Sequence, residues 1–187
     1  MALAGGSFAS AALLSACGDG AAVETSRFGD GDVGILNYAL TLEHLEVALY
    51  ASLAKVGSLQ SKTETTLRKF GEEEEEHIAA LALAVERLGG EPVSKPKTEF
   101  PAAGNAEMAL KTASEIENLV AAAYLGQLSS IENEAALEAM LSIHSVEGQH
   151  AATLNSLLGE PVTPDGALAK PATAEAVLGS VEPFLVG

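Results

Sequence analysis

Two Glu-x-x-His steps, Glu74 to His77 and Glu147 to His150, lie inside helix-period apolar stripes at an offset of 73. Leu67, Phe70, Glu74, His77, Leu81, Val85 and Leu88 step by threes and fours, and Met140, Ile143, Glu147, His150, Leu154 and Leu157 do the same. That spacing places each set on one face of an α-helix, so a carboxylate and an imidazole sit in the stripe that should face the core. Two further stripes carry one Glu each, Leu36, Leu40, Glu43, Val47, Tyr50 and Ala113, Glu117, Val120, Tyr124. The pattern predicts an all-α domain in which four helices each direct a carboxylate inward.

Turn signals set the boundaries. The first helix is expected from about Val33 to Val56, stopping at Gly57, and the second from a capping box, Ser61-Lys62-Thr63-Glu64, to Gly89-Gly90. The third starts after Asn105 and fades near Ser130; the fourth runs from near Asn133 to Gly159. Residues 57–60 and 130–133 are short connections that make antiparallel hairpins, whereas 89–104, with Pro92, Pro96 and Pro101, can cross a whole bundle. The hairpins also resemble each other. Tyr50 aligns with Tyr124, and Gly90-Glu91-Pro92-Val93 aligns with Gly159-Glu160-Pro161-Val162, which implies an internal duplication. Glu43 precedes Gly57 by 14 residues and Glu74 follows Gln60 by 14. At about 1.5 Å per residue both lie roughly 20 Å from their shared turn. Glu117 and Glu147 stand at matching heights in the second hairpin, so all six groups should meet in one layer.

Four carboxylates in a dry layer need a counter-charge, because each bare buried charge costs several kcal/mol. No Lys or Arg falls in the stripes. Two divalent cations would balance them, and oxygen plus imidazole donors suit iron or manganese. A lone Glu-x-x-His carries little information; two, each preceded by a stripe Glu 30 or 31 residues earlier, carry much more. Without metal, crowding and burial should raise the carboxylate pKa values and make the domain more thermostable in mild acid than at neutral pH, with charging of His77 and His150 in acid opposing the effect. The net charge of -16 and pI near 4.5 leave no basic surface for nucleic acid, and a single Cys excludes disulfides and multi-thiolate metal centres.

The remaining polar residues are assigned by the repeat. Glu46, one turn beyond Glu43, matches Val120 and is ranked below Glu43; Glu115 is ranked below Glu117 because it breaks the Tyr spacing. Glu72, Glu73, Glu75 and Glu76 are read as a solvated face, and His44 as a surface residue. His144, on the edge of the fourth stripe, reads as a satisfied core histidine or a donor to a ligand. Tyr50 and Tyr124 either fill the core or bond to the opposite ligand set.

With these residues in place, the chain resembles the ferritin-like superfamily, alongside bacterioferritin, rubrerythrin and manganese catalase. It is most similar to exported ferritin-like domain proteins that include desiccation-related members, whose first helix the phrase Leu36-Asn37-Tyr38-Ala39-Leu40-Thr41-Leu42-Glu43-His44-Leu45-Glu46 resembles. The resemblance covers about Val33 to Gly159. It implies a ferritin-like four-helix bundle in which Glu74 and Glu147 bridge two metals, Glu43 and Glu117 are terminal ligands, and His77 and His150 each bind one. Open positions on such a pair would meet O2 or peroxide, in ferroxidase- or catalase-like chemistry; the alternatives are a non-catalytic metal-binding or stress-protective helical bundle protein and a metal-free scaffold with the carboxylates protonated or wet. One Cys is too few for the four-cysteine iron site of a rubrerythrin.

The ends read differently. Residues 1–16 form an uncharged apolar stretch of export-signal type, and Leu14-Ser15-Ala16-Cys17 resembles a bacterial lipobox with Cys17 as the lipidated residue. No Lys or Arg precedes it, so the true start is expected upstream. Residues 17–32 read as a flexible tether, 33–159 as the bundle, and 160–187 as a tail with a short helix over Thr173 to Leu185. The expected location is the outer face of the cytoplasmic membrane or the periplasm, with membrane contact through the lipid alone; a homodimer is among the assemblies open to it.

Overall fold

The computed structural model describes residues 25–57, 59–100 and 105–186. Five α-helices occur among them: α1 (Gly31–Leu53), α2 (Ser61–Arg87), α3 (Ala106–Gln127), α4 (Glu134–Leu158) and α5 (Ala174–Val181), with single 3-10 turns at Ser26–Phe28, Leu128–Ser130 and Glu182–Phe184. No β-strand occurs among the described residues, only an isolated bridge between Thr98 and Leu185. α1 packs on α2 and α3 on α4, and the two hairpins meet through α1 against α3 and α2 against α4. The result is a ferritin-like four-helix bundle. Among the described residues no helix is long and apolar enough to cross a membrane.

The helices differ in how much of their surface they hide. α2 buries a single stripe, Leu67, Phe70, Glu74, His77, Leu81 and Val85, with charged residues around it. α1 is apolar on nearly every side, and residues Gly34 through Glu43 are all buried. A helix of that composition must be covered all round. Its cover comes from α2, from α3, from the 3-10 turn at Ser26–Phe28 and from the chain that follows α2. Asn37 joins these pieces: its Nδ2 donates to the carbonyls of Phe28 (3.1 Å) and Glu91 (3.0 Å), and its Oδ1 accepts from the amide of Val93 (2.9 Å). Phe28 packs against Tyr38 with ring centroids 5.9 Å apart. Residues 25–32, read from composition as part of a tether, are therefore folded, and α1 begins at Gly31 rather than Val33. Gly29 lies close against α1, its carbonyl oxygen 2.1 Å from where a Cβ on Gly34 would be, and Asp32 accepts from the amides of Glu132 and Asn133.

The capping box at Ser61 does not form. The N-cap is Gln60, Ser61 is already inside α2, and its carbonyl accepts from the Thr65 hydroxyl at 2.9 Å. The helix exits do follow the repeat: Gly89 and Gly159 take left-handed φ of 77° and 76°, and the following amides, Gly90 and Glu160, return to the carbonyls of Val85 and Asn155. The C-terminal segment is part of the core. Thr173 caps α5 by accepting from the Ala176 amide, and Ala174, Val177 and Val181 are buried in the same cluster as the bundle's interior. Its approach to α3 is close: the Ala172 amide donates to the Ala122 carbonyl at 2.9 Å, and a Cβ on Gly126 would lie 2.1 Å from the Ala172 carbonyl oxygen. Phe184 stacks on Phe100 at 4.9 Å, tying the end of the chain to the crossover.

Replacing Asn37 by Leu removes three hydrogen bonds and leaves partly buried backbone groups unpaired, so Asn37→Leu should lower the unfolding free energy by about 2–3 kcal/mol. Urea denaturation of the two proteins checks this; an unchanged midpoint would mean that Asn37 does not fasten the cover to α1.

Candidate metal centre

The equal heights of the stripe residues bring six side chains together at mid-bundle. Glu43 comes from α1, Glu74 and His77 from α2, Glu117 from α3, Glu147 and His150 from α4. The four carboxylates are fully buried and the imidazoles nearly so. Two groups form. In one, Glu43, Glu74, His77 and Glu147 offer ligand atoms within 4.8 Å of one another; in the other, Glu74, Glu117, Glu147 and His150 do. Glu74 and Glu147 belong to both.

Each imidazole turns Nδ1 inward. His77 Nδ1 lies 2.7 Å from Glu74, 3.1 Å from Glu147 and 3.2 Å from Glu43; His150 Nδ1 lies 2.8 Å from Glu74 and 3.6 Å from Glu117. One N–H cannot serve three acceptors. Both oxygens of Glu147, one of Glu74, one of Glu117 and the Nδ1 of His150 are buried and, close as some of them lie to one another, none makes a well-directed hydrogen bond. Lone pairs converging from three or four side chains onto one small volume are what a divalent cation requires, and hard oxygens with one nitrogen per group fit such an ion. The residues present fit metal binding.

Neighbours hold the carboxylates in place. Tyr50 on α1 donates its hydroxyl to Glu117, and Tyr124 on α3 donates to Glu43, so each tyrosine reaches across to the other hairpin. Phe70 stacks on the His150 ring at 3.9 Å, and the outer nitrogen of His150, Nε2, lies 3.0 Å from Glu73. Glu73, read as part of a solvated run, thus orients a site histidine. His144 takes no part: it is half-buried against the backbone of Ala121, and no hydrogen bond among the described residues joins it to the six. His44 is half-buried too, and burial pulls its pKa down. Glu46, ranked below Glu43 from the repeat, is as deeply buried as Glu43, and neither of its oxygens has a hydrogen-bond partner. The repeat could not reveal this, because its counterpart Val120 is apolar. Cys17 lies outside the described residues.

The family model of the ferritin-like domain matches residues 31–160. The chain belongs to this family. Among curated proteins, none matches it. The matched span of the ferritin-like domain takes in α1 through α4 and every residue of the layer. It ends before α5, so the C-terminal cover is an addition to the bundle.

In metal-free protein, protons stand in for cations. Burial lowers the imidazolium pKa, but the carboxylates of Glu147, Glu43 and Glu74 outweigh it and lift His77 to about 12; Glu117 and Glu74 lift His150 to about 11. Burial would raise Glu74, but it faces both imidazoles and falls to about 2. Glu43 faces only one and is pushed by burial up to about 7. Burial raises Glu117, and raises Glu147 further, since neighbouring carboxylates repel it. Histidine charging in acid does not oppose the carboxylates, contrary to the expectation from sequence, because both histidines are already protonated at neutral pH.

The sign of the pH dependence follows. Glu43, raised to about 7, contributes stability below its unfolded value that is lost as pH rises through 7; the histidines contribute below about 6.5 and lose it towards 11 and 12. Of the six, only Glu74 runs the other way, and its contribution is complete above about pH 5. Chelator-treated protein should therefore melt at a higher temperature at pH 5.5 than at pH 8, with on the order of 2–3 kcal/mol from Glu43 alone. Glu43→Gln should shrink the difference, and saturating Mn(II) should reverse it by binding the native state alone. Equal melting temperatures in all four conditions would show that the layer is not a buried carboxylate cluster.

Proposed function

We propose that this protein is an exported ferritin-like protein, of the desiccation-related type, whose layer holds two iron or two manganese ions and performs redox chemistry on O2 or peroxide. The observation that carries the reading is the sharing of Glu74 and Glu147 by two four-residue groups, each with its own imidazole. Two neighbouring positions that share two carboxylates would hold their ions as a pair. When bound, such a pair supplies or accepts electrons while the protein provides the surroundings.

Those surroundings have separable tasks. Glu74 and Glu147 would bridge, Glu43 with His77 and Glu117 with His150 would complete the two ends. Burial raises the pKa of Tyr50 and Tyr124 well above 10, so both stay protonated donors that fix the orientation of Glu117 and Glu43. Glu73 locks the His150 ring. Lys69 at 2.8 Å and His150 outweigh the effect of burial and keep the Glu73 carboxylate low, so it remains an acceptor reaching solvent. A cavity of about 250 Å³ between α1 and α2, lined by Val47, Tyr50, Ala51, Leu67 and Gly71 with Arg68 and Glu72, reaches Tyr50 and is more than large enough to admit O2 or peroxide. The complete enclosure of the carboxylates favours a second reading, a metal-holding protective protein without turnover.

Protein purified without chelators should contain close to two metal ions per chain, and Glu74→Ala or Glu147→Ala should lose both by removing a bridge. Full occupancy in either variant would overturn the bridging roles. Consumption of peroxide, or of O2 with Fe(II), separates the redox reading from the holding one.

The location is proposed from sequence. With Cys17 lipidated, protein expressed with a complete export signal should fractionate with membranes, and Cys17→Ser should release the folded domain. Export of the unaltered protein in soluble form would leave a plain signal peptide.

A further inference from the structure

The two hairpins share a frame, but their outer faces differ where a small molecule would have to pass. On the first, the cleft of about 250 Å³ between α1 and α2 has an inner wall of Val47, Tyr50, Ala51, Leu67 and Gly71. The charged residues that line it, among them the ion pair of Arg68 with Glu72, are all exposed and stand at its rim. The Tyr50 hydroxyl is committed to Glu117, so the inner wall offers a visitor little but apolar surface. Behind Tyr50 lies Phe70, which meets it edge-on at 6.1 Å and stacks on His150 at 3.9 Å. The cleft thus ends against the rings that touch the Glu117 and His150 half of the layer.

Small residues keep it open. Gly71 stands inside α2, where glycine costs roughly 0.5–1 kcal/mol relative to alanine, and a Cβ there would lie 3.0 Å from the Cβ of Tyr50. At the same offset of 73 that relates Glu74 to Glu147, the second hairpin has His144, half-buried against the backbone of Ala121. Ala51, at the mouth, is matched by Leu125, whereas Val47, against Ala121, runs the other way. The second hairpin has a cleft too, lined by His144, Gly148, Val162 and Lys170 among others, but Tyr124 is not among the described residues that border it. The C-terminal segment also lies over α3 on both sides of Tyr124, with the Ala172 amide on the Ala122 carbonyl and the Ala172 carbonyl against Gly126. Of two equivalent tyrosines, one is reached from outside and the other is covered.

We propose that the α1–α2 cleft is the route by which O2 approaches the layer, with Gly71 and Ala51 the residues that keep this side open. The proposal rests on the reading of the layer as a redox centre. O2 is the occupant that the lining selects, because it is small and apolar; peroxide would give up hydrogen bonds to water and gain none from the wall.

Xenon, which apolar cavities of this order take up, stands in for O2 and needs no metal. In methyl NMR spectra of the metal-free protein, Val47 and Leu67 should shift with xenon pressure, while Val177 and Val181 on α5 should not. Gly71→Leu and Ala51→Leu, which fill the cleft from its floor and its mouth, should abolish those shifts. Loaded with Fe(II), both variants should hold as much metal as the unaltered chain and oxidise it several-fold more slowly under O2. Ala51→Leu installs the residue that the other hairpin carries, so it tests the route even if Gly71→Leu does not fold. If Val47 and Leu67 ignore xenon, if the folded variants oxidise Fe(II) at the unaltered rate, or if the unaltered chain uses peroxide alone, the proposal falls while the redox reading stands. If the unaltered chain holds Fe(II) and responds to neither oxidant, the redox reading falls and takes the route with it.

Discussion

Everything in this bundle is arranged around the burial of carboxylates at one level of its interior. Glu43, Glu46, Glu74, Glu117 and Glu147 are all fully buried. A core of that kind is not a source of stability. Each carboxylate has left water, and the attraction available inside comes from two imidazoles and two tyrosine hydroxyls. Proton affinity follows the geometry: it is raised on both histidines and on the carboxylates that face one imidazole or none, and lowered on Glu74, which lies between the two rings. Metal affinity and proton affinity thus compete for the same lone pairs, and metal uptake must release protons.

The rest of the fold offsets that cost. α1 carries two of the five carboxylates, and it is also the helix whose surroundings are most completely apolar. Leu36, Leu40, Leu42, Leu45 and Leu49 bury almost all their surface around Glu43 and Glu46, and burial of each contributes about 1.5–3 kcal/mol. The N-terminal turn, the crossover fastened by Asn37, and α5 on α3 close the bundle against solvent. Solvent reaches the layer's neighbours chiefly at Glu73, whose side chain is 29% exposed and touches His150.

The bundle and the convergence of six of its residues were legible in the sequence because they rest on periodicity. A stripe Glu must point where its Leu neighbours point, and equal distances from a turn mean equal heights. What escaped was whatever departs from periodicity or from the repeat. Glu46 was ranked low because Val120 stands opposite it, an argument that assumes the two halves do the same work. Glu73 was hidden in a run of five glutamates, where only the tertiary position of His150, on another helix 77 residues away, singles it out. Composition misread residues 25–32, since Gly and Asp suit a close turn as well as a tether, and Ser61 shows that a capping signature one residue out of register makes no cap.

Duplication explains why the two halves share a frame; it does not explain why they differ. A duplicated hairpin begins with two equivalent ends, each with one carboxylate and one imidazole plus two shared bridges. In this chain Glu46, Phe70 and Glu73 have apolar counterparts in Val120, Ile143 and Val146. Phe70 and Glu73 touch His150, and Glu46 is fully buried on α1. Random drift would scatter such changes, whereas two of these, Phe70 and Glu73, gather on one imidazole. A carboxylate on the far nitrogen of a histidine makes the near nitrogen a better donor. On the proposed reading the two ends would therefore hold their ions unequally, with His150, backed by Glu73, the stronger nitrogen donor.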